Sequence, residues 1–379
     1  MNKKIYPLLY AIAMAATIYY NGLNDMIAKY VSMAIIGLLF VVALFKALNS
    51  QKTPRVFKSW LFWLLLAFFV NLLYGMNQFS YEQLFNISIA MPLMAAFSAY
   101  YTFDIKREKL PLFMLPICVF AAYCAVVSVF TGLGGFVIAE HYDDDIAKNQ
   151  IGAAFATISI ISAVFALENK HFAVKIVYWI ISVVCMYPSL FFTCRTALLS
   201  YLVVIAFLLI GEYGMKHFWK LIPVIAIILI IGGDTINDLL YNSIVGNRDV
   251  SDYDDLTSGR FKQARISMDY FLGHPFLGYY GSGPDAGTMP PAAHIFLLFR
   301  LTNWGIIGAI PAIVLYFSVF KIFIKSVKTR DLLMAGILFL AFLESFSEFA
   351  PPFGPGSCFI IAFIFIGYYL RQNAEVPRK

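Results

Sequence analysis

Runs of about 20 apolar residues recur along the whole chain, and a helix of that length can cross the hydrocarbon core of a bilayer. The 379 residues are 61% hydrophobic and only 13% charged, about half the charged fraction of a soluble domain. The runs lack the short alternating strands of a membrane barrel, so backbone that faces lipid must be helical. The sequence therefore predicts an all-α polytopic membrane protein, with residues 1–379 forming a single integral membrane domain.

About 12 transmembrane helices are predicted, and the loops between them alternate between the two sides of the membrane. This topology places 20 of the 28 Lys and Arg residues on one side and 8 on the other. Short cytoplasmic loops are enriched in Lys and Arg, so we expect the cation-rich side and both termini to be cytoplasmic. The predicted spans are residues 5–20, 27–48, 57–75, 84–103, 110–131, 149–167, 172–192, 196–213, 218–233, 294–324, 331–348 and 356–370.

The largest hydrophilic segment is the external loop of residues 234–293. Within it, Ser258 is placed to cap a short helix that continues to about Leu272. Phe261 and Met268 recur with Leu272 at helical spacing, which is typical of a helix that lies on the membrane surface. A loop of this size in a compact domain is usually functional or disordered.

The 8 cations on the side that the topology keeps poor in them include Arg195, Arg260 and Arg265. Arg195 is flanked by apolar sequence, where it either snorkels to the headgroups or binds phosphate oxygens through its planar guanidinium. Arg260 opens the predicted surface helix, where a cation is unfavourable unless an anion bridges it to the free N–H groups; a solvated loop cation is the alternative. Arg265 lies near the apolar stripe and faces headgroups or substrate. Together these residues indicate an anionic substrate.

His294 begins the apolar run that follows the loop. A lone histidine there is either a cap or headgroup contact, or a general base that acts near neutral pH. Arg300 lies six residues further on, and it either lines the same cavity or pairs with an acid. Glu344 and Glu348, near the outer end of a later span, are candidate partners for the arginines.

Metal binding is not predicted. The acidic runs Asp143–Asp145 and Asp252–Asp255 could bind a divalent cation, but their spacing fits no EF-hand loop. No P-loop, catalytic serine motif or zinc spacing is present, and the five cysteines lie in or beside apolar runs, as small core residues do.

Four regions along the chain together form a recognisable pattern. Lys148–Gly152 opens a span after an outer loop, and Thr193–Leu199 (TCRTALL) carries Arg195. Ser258–Arg260 (SGR) is followed by Gly273–Gly278 (GHPFLG), and His294–Gly308 is a His-led span that ends in Gly-Ile-Ile-Gly. In this order and with the large outer loop, the pattern resembles the O-antigen ligase/polymerase family of bacterial envelope glycosyltransferases.

The resemblance implies a GT-C-like glycosyltransferase in the bacterial inner membrane, with its active site on the periplasmic face and no cofactor. Its donor would be a glycan on undecaprenyl pyrophosphate, and its acceptor a growing polysaccharide or lipid A-core. A chain-length regulator and membrane lipids are further partners that the resemblance implies. Arg195 and Arg260 would hold the pyrophosphate, and His294 would activate the acceptor hydroxyl. Tyr279 and Tyr280 are candidate sugar-stacking rings. No nucleic-acid partner is expected.

Three other functions remain open. A ligase that transfers the glycan to lipid A-core would use the same donor, although the His-x-His form common in such ligases is absent because residue 292 is Ala. A flippase or transporter for the lipid-linked glycan would place charges near mid-membrane and show paired halves, whereas the polar groups here collect at one face. A metal-dependent transferase that uses Asp143–Asp145 would be sensitive to chelators. We therefore expect a polymerase of oligosaccharide repeat units.

Overall fold

The computed structural model describes residues 5–23, 25–49, 53–75, 89–131, 144–192, 194–214, 241, 259–282, 293–348, 351–353 and 359–375. These residues form thirteen α-helices and a short 3-10 turn at Arg107–Lys109, and they contain no strand. The helices are α1 (Ile5–Leu23), α2 (Met26–Leu48), α3 (Arg55–Gly75), α4 (Ala90–Thr102), α5 (Leu110–Phe130), α6 (Asp144–Glu168), α7 (Phe172–Phe191), α8 (Arg195–Tyr213), α9 (Arg260–Gly273), α10 (Gly278–Ser282), α11 (Phe296–Lys328), α12 (Leu332–Ser345) and α13 (Ile360–Glu375).

The described residues have the character of an all-α membrane protein. Helices occupy eleven of the twelve predicted spans, although residues 84–88 and 356–358 at two span starts lie outside the described residues. The remaining span, 218–233, also lies outside them. Among the described helices, six are long and apolar enough to cross a membrane, namely α2, α5, α6, α7, α8 and α11. The all-α prediction is confirmed, whereas the count of twelve spans stays a prediction.

The chain divides into two compact units. The first unit comprises Met1–Ile35, Asp104–Arg248 and Ile324–Leu340, and the second comprises Ile36–Phe103, Asp249–Phe323 and Ala341–Lys379. Arg195 belongs to the first unit, and Arg260 and His294 belong to the second. The prediction of a single membrane domain stays a prediction.

The first unit is built around α6, which is buried on all sides from Ile151 to Leu167. Helices α1, α5, α7 and α8 pack against it, as expected for a helix that is apolar around its whole circumference. Polar contacts also join these helices. Ser182 of α7 exchanges hydrogen bonds with Ser159 of α6, and its Oγ lies 3.0 Å from the hydroxyl of Tyr201 on α8. Buried hydroxyls of this kind connect helices in apolar surroundings.

The second unit has an equivalent central helix in α13, which is buried from Ile360 to Tyr369. Gly367 allows α13 to approach α4 closely, since a Cβ at this position would lie 2.1 Å from the carbonyl oxygen of Ala96. Small residues permit such backbone contact between membrane helices.

Candidate functional site

A carboxylate, Glu348, joins the two residues that the sequence predicted as the catalytic pair of the second unit. Arg260 Nη2 donates a hydrogen bond of 2.7 Å to Glu348 Oε1, and Arg260 Nη1 donates one of 2.9 Å to the carbonyl oxygen of Ser347. The other carboxylate oxygen, Glu348 Oε2, lies 3.7 Å from His294 Nδ1. All three side chains are largely buried, with exposed fractions of 25%, 15% and 21% for Arg260, Glu348 and His294. We call Arg260, His294 and Glu348 the charged triad.

Arg260 owes its position to the start of α9. It is the first residue of the helix, and Gly259 before it occupies the N-cap position in the left-handed conformation, with φ 73°. Glycine adopts this conformation without the penalty that a Cβ imposes. The helix from Ser258 to about Leu272 is thus confirmed as α9, but the N-cap is Gly259 rather than Ser258, which lies outside the described residues.

His294 lies in the bend that leads into α11, which begins at Phe296. The distance of 3.7 Å between its Nδ1 and Glu348 Oε2 is too long for a hydrogen bond. It is within the range of an ion pair if the imidazole ring is protonated. An imidazolium formed at His294 would therefore face a carboxylate. Arg260 holds the same carboxylate in place, because it donates one hydrogen bond to Glu348 and another to the backbone carbonyl of the preceding residue, Ser347.

The two glycine-containing segments of the second unit, Gly273–Gly278 and Gly305–Gly308, contact each other. Helix α11 is interrupted at Gly305, whose φ of 62° and ψ of −178° lie in a region open essentially to glycine alone. The amides of Ile306 and Ile307 begin the second segment of α11 and donate hydrogen bonds of 2.8 Å and 3.2 Å to the carbonyls of Pro275 and Phe276. The GHPFLG loop thus satisfies amides that a helix start leaves without intrahelical partners.

A second contact ties α9 to the first segment of α11. Thr302 Oγ1 donates to the carbonyl oxygen of Ser267, at 3.1 Å, and Ser267 is fully buried. Together with the loop contacts at Gly305, this hydrogen bond fixes α9 along α11 at two points. The helix that begins with Arg260 is therefore attached to the helix that His294 precedes.

The predicted sugar-stacking tyrosines lie in an aromatic cluster. The ring centroid of Tyr280 lies 4.9 Å from that of Trp304 and 5.4 Å from that of Tyr279. The ring centroids of Tyr279 and Tyr270 are 5.9 Å apart. Tyr279 is only 4% exposed in this conformation, and its role as a stacking surface stays a prediction. Its ring holds α10 against α9. Tyr280 is half-buried and stays a candidate.

The two further arginines have opposite environments. Arg265 is exposed on α9, consistent with a contact to headgroups or substrate. Arg300 is 1% exposed, and its guanidinium carbon lies 5.3 Å from the ring centroid of Phe296 and 5.9 Å from that of Phe299. Cation–π contacts of this kind favour Arg300 as a packing element of α11, and a substrate would reach it only after repacking.

In the first unit, Arg195 is the first residue of α8 and is half-buried. A tight turn precedes it, in which the Cys194 amide donates to the Ser189 carbonyl at 2.8 Å. Gly152 packs against this turn, since a Cβ there would lie 2.9 Å from the Cβ atoms of both Cys194 and Ala197. The four stretches of the sequence pattern therefore form two contacts, one inside each unit.

Some predicted features lie outside the described residues. These are Asp143, Asp252–Asp255, Thr193, Cys358, and the loop residues 234–240, 242–258 and 283–292. Among the residues that were described, no group of three or more His, Cys, Asp or Glu side chains is arranged to hold a metal ion. The remaining four cysteines are buried, which confirms their prediction as core residues.

From the sequence, Glu348 is predicted only as a candidate partner for an arginine. The structure confirms the pairing with Arg260 and adds His294 as its second neighbour. The available signal was the recurrence of glutamates at positions 344 and 348 where an apolar run ends, since residues four apart share one helix face. Which arginine they would meet was not readable from spacing.

An all-helical protein of membrane type, with a half-buried Arg–Glu–His triad beside an interrupted helix, is the class that this fold and site define. No model of a known protein family matches the chain, and no curated protein matches it significantly. A particular function is therefore inferred from the site itself and from the sequence resemblance.

Proposed function

We propose that the protein is a membrane glycosyltransferase that polymerises oligosaccharide repeat units carried on undecaprenyl pyrophosphate, without a metal ion. The single observation that carries this proposal is the charged triad, in which one carboxylate lies between a guanidinium and an imidazole. A phosphate-binding cation beside a general base is the equipment that transfer from a pyrophosphate-linked sugar requires. The resemblance to the O-antigen ligase/polymerase family supplies the substrate class.

In the proposed reaction, a hydroxyl of the acceptor glycan attacks the anomeric carbon of the donor sugar. A new glycosidic C–O bond forms, and the bond from the anomeric carbon to the pyrophosphate oxygen breaks. The electron pair of the broken bond leaves with the undecaprenyl pyrophosphate. The hydroxyl proton goes to His294, where the carboxylate of Glu348 stabilises the imidazolium.

Arg260 would stabilise the negative charge that develops on the departing pyrophosphate. Donors that are already placed where this charge appears typically contribute about 3–4 kcal/mol each in a water-poor site. Arg260 is suited to this role because its bonds to Ser347 and Glu348 fix the plane of its guanidinium. Glu348 is thus a positioning residue for both Arg260 and His294.

The proposed location follows from the resemblance and the distribution of cations. The protein would lie in the bacterial inner membrane with both termini cytoplasmic and the site on the periplasmic side. Helix α11, a candidate span, follows His294 directly, so the triad lies close to an end of the membrane region. This position suits a donor whose lipid stays in the bilayer while its sugar is in water.

The experiment uses the full-length protein in detergent with a synthetic undecaprenyl-pyrophosphate-linked repeat unit, in the presence of EDTA. Products are resolved on a gel with no other acceptor present. A ladder of lengthening glycans is the expected result. Transfer only after lipid A-core is added would instead make the protein a ligase, and no transfer even with magnesium restored would contradict a transferase and favour a lipid-linked glycan transporter.

A further inference from the structure

The two segments of α11, before and after Gly305, lie side by side instead of end to end. The ring of Phe296, in the first segment, stacks on the ring of Tyr316, in the second, with centroids 5.3 Å apart and planes 15° from parallel. In a straight helix these two residues, 20 positions apart, would be separated by about 30 Å. The chain therefore folds back at Gly305, and the bend that contains His294 is brought next to the second segment.

Phe296 fixes the path of the chain at His294. It is fully buried two residues after His294, and a second ring, that of Phe353, lies 5.8 Å from it between centroids. Phe353 is itself 1% exposed and follows Glu348 by five residues. Because aromatic rings in contact prefer particular arrangements, such packing restricts the backbone on which the rings are carried. The position of the His294 bend thus depends on the rings against which Phe296 packs.

The hydroxyl of Tyr316 reaches the other side of the charged triad. Tyr316 Oη lies 2.9 Å from Ser345 Oγ, and Ser345 is the last residue of α12. The single hydroxyl proton of Ser345 is donated to the carbonyl oxygen of Phe342, at 2.7 Å, so Tyr316 is the donor in its bond to Ser345. Glu348 lies in the turn that continues α12, since its amide donates to the carbonyl oxygen of Glu344 at 2.8 Å. Tyr316 is therefore attached to the segment that carries Glu348.

Tyr316 thus contacts both segments with one side chain, and this side chain is only 5% exposed. A residue that is locked by packing and by a hydrogen bond holds the groups that depend on it within a narrow range. We propose that Tyr316 is a positioning residue for the charged triad, which sets the separation between the imidazole of His294 and the carboxylate of Glu348. Its ring acts through Phe296 and its hydroxyl through Ser345. This role rests on the proposed function, in which His294 is the base and Glu348 stabilises its imidazolium.

The first test measures the separation directly and needs no substrate. The double variant His294→Cys/Glu348→Cys is treated with dibromobimane, which becomes fluorescent when it bridges two neighbouring thiols. Its rate of bridging is compared with the rate after Tyr316→Phe is added, and the two single-cysteine variants give the background from native cysteines. Tyr201→Phe is the matched control, because Tyr201 is a buried tyrosine of the first unit whose hydroxyl lies 3.0 Å from Ser182 Oγ.

We expect Tyr316→Phe to slow the bridging and Tyr201→Phe to leave it unchanged. Equal rates of bridging with and without Tyr316→Phe would overturn the proposal. Equal slowing by both phenylalanine substitutions would also overturn it, because the effect would then be that of any lost tyrosine hydrogen bond.

The second test is glycan transfer by the folded protein. Tyr316→Phe should lower kcat about 10-fold with KM nearly unchanged, since a misplaced base slows the chemical step more than it weakens donor binding. A lower unfolding temperature with an unchanged kcat would overturn the proposal, because Tyr316 would then act on stability alone. If the parent protein transfers no glycan, the proposed function fails, and the bridging measurement decides whether Tyr316 sets the separation.

The hydrogen bond itself is tested from both of its ends. Ser345→Ala should lower the unfolding temperature and kcat more than Tyr316→Phe does, because it leaves the hydroxyl of Tyr316 buried without an acceptor. In the Tyr316→Phe variant, by contrast, Ser345 keeps its bond to Phe342. The double variant Tyr316→Phe/Ser345→Ala should therefore regain part of the loss caused by Ser345→Ala. Losses in the double variant that equal the sum of the two single losses would overturn the part assigned to the hydroxyl.

Discussion

Gly278 and Gly305 meet backbone against backbone in the second unit. A Cβ at position 278 would lie 2.3 Å from the amide nitrogen of Gly305, and a Cβ at position 305 would lie 2.3 Å from the carbonyl oxygen of Phe276. Both glycines have positive φ values, 63° and 62°. The contact closes the loop after α9 onto the interruption in α11, and it therefore determines how the helix that starts at Arg260 is attached to the helix that His294 precedes.

Gly278→Ala and Gly305→Ala should each lower the stability of the protein by about 3 kcal/mol or more, because each adds both backbone strain and a clash with backbone atoms. The measurement is thermal unfolding of the purified protein in detergent. Gly273→Ala is the matched control in the same loop, since a Cβ there would meet nothing within 4 Å.

A second control separates strain from the clash. Gly214 has a φ of 76° but open space around it, so Gly214→Ala should cost only about 1 kcal/mol. Equal losses for Gly214→Ala and Gly278→Ala would mean that the backbone contact at Gly305 contributes nothing.

His294→Ala should lower the rate of glycan transfer by about 10²–10⁴-fold, because it removes the proposed general base. His274→Ala is the control, since His274 is an exposed histidine of the same unit that lies outside the charged triad. The rate is measured from ladder formation with the lipid-linked repeat unit. Near-normal transfer by a folded His294→Ala protein would remove the base assignment.

Glu348→Gln should lower the rate by about 10-fold or more, since it keeps the shape of the side chain but removes the charge that faces both Arg260 and His294. If Glu348 acts through those two residues, the double variant Glu348→Gln/His294→Ala should lose less than the product of the two single losses, since only the effect through Arg260 remains. Fully additive losses would show that Glu348 acts independently of His294.

Arg260→Lys should strongly reduce the rate of glycan transfer, although the substitution keeps the positive charge. A lysine ammonium cannot reproduce the two directed bonds to Ser347 and Glu348 or fork onto two phosphate oxygens. Lys262→Ala, an exposed cation two residues further along α9, serves as the control and should leave the rate nearly unchanged. Full activity of Arg260→Lys would reduce the role of this residue to simple charge attraction.

In the first unit, Gly152→Ala should disturb the turn that carries Arg195, since the added Cβ would lie 2.9 Å from Cys194 and Ala197. We expect a loss of about 1–3 kcal/mol in stability together with reduced transfer, as for other overpacked cores. Gly37→Ala, where a Cβ meets nothing within 4 Å, is the control. Arg195→Lys should reduce transfer without the loss of stability, measured by the same unfolding transition.

Much of the helical architecture was readable from the sequence, because the length and apolarity of a run are local properties. The segment from Ser258 to about Leu272 was predicted as a helix from its own residues, and α9 is there. The exact start of α9 was not predicted, because its N-cap is Gly259, which has no side chain to form a capping hydrogen bond. For Tyr279, sequence offered an aromatic ring but could not tell that α9 and α10 would bury it.

The sequence by itself determined that this chain is helical and membrane-like, since those properties depend on each segment's own composition. It also singled out Arg260 and His294 as residues whose types suit an anionic substrate. Only the tertiary structure decided that Glu348 lies between them and that the loop at Gly278 closes on Gly305. These contacts join residues far apart in the chain, and their geometry depends on how whole helices pack, which residue spacing does not encode.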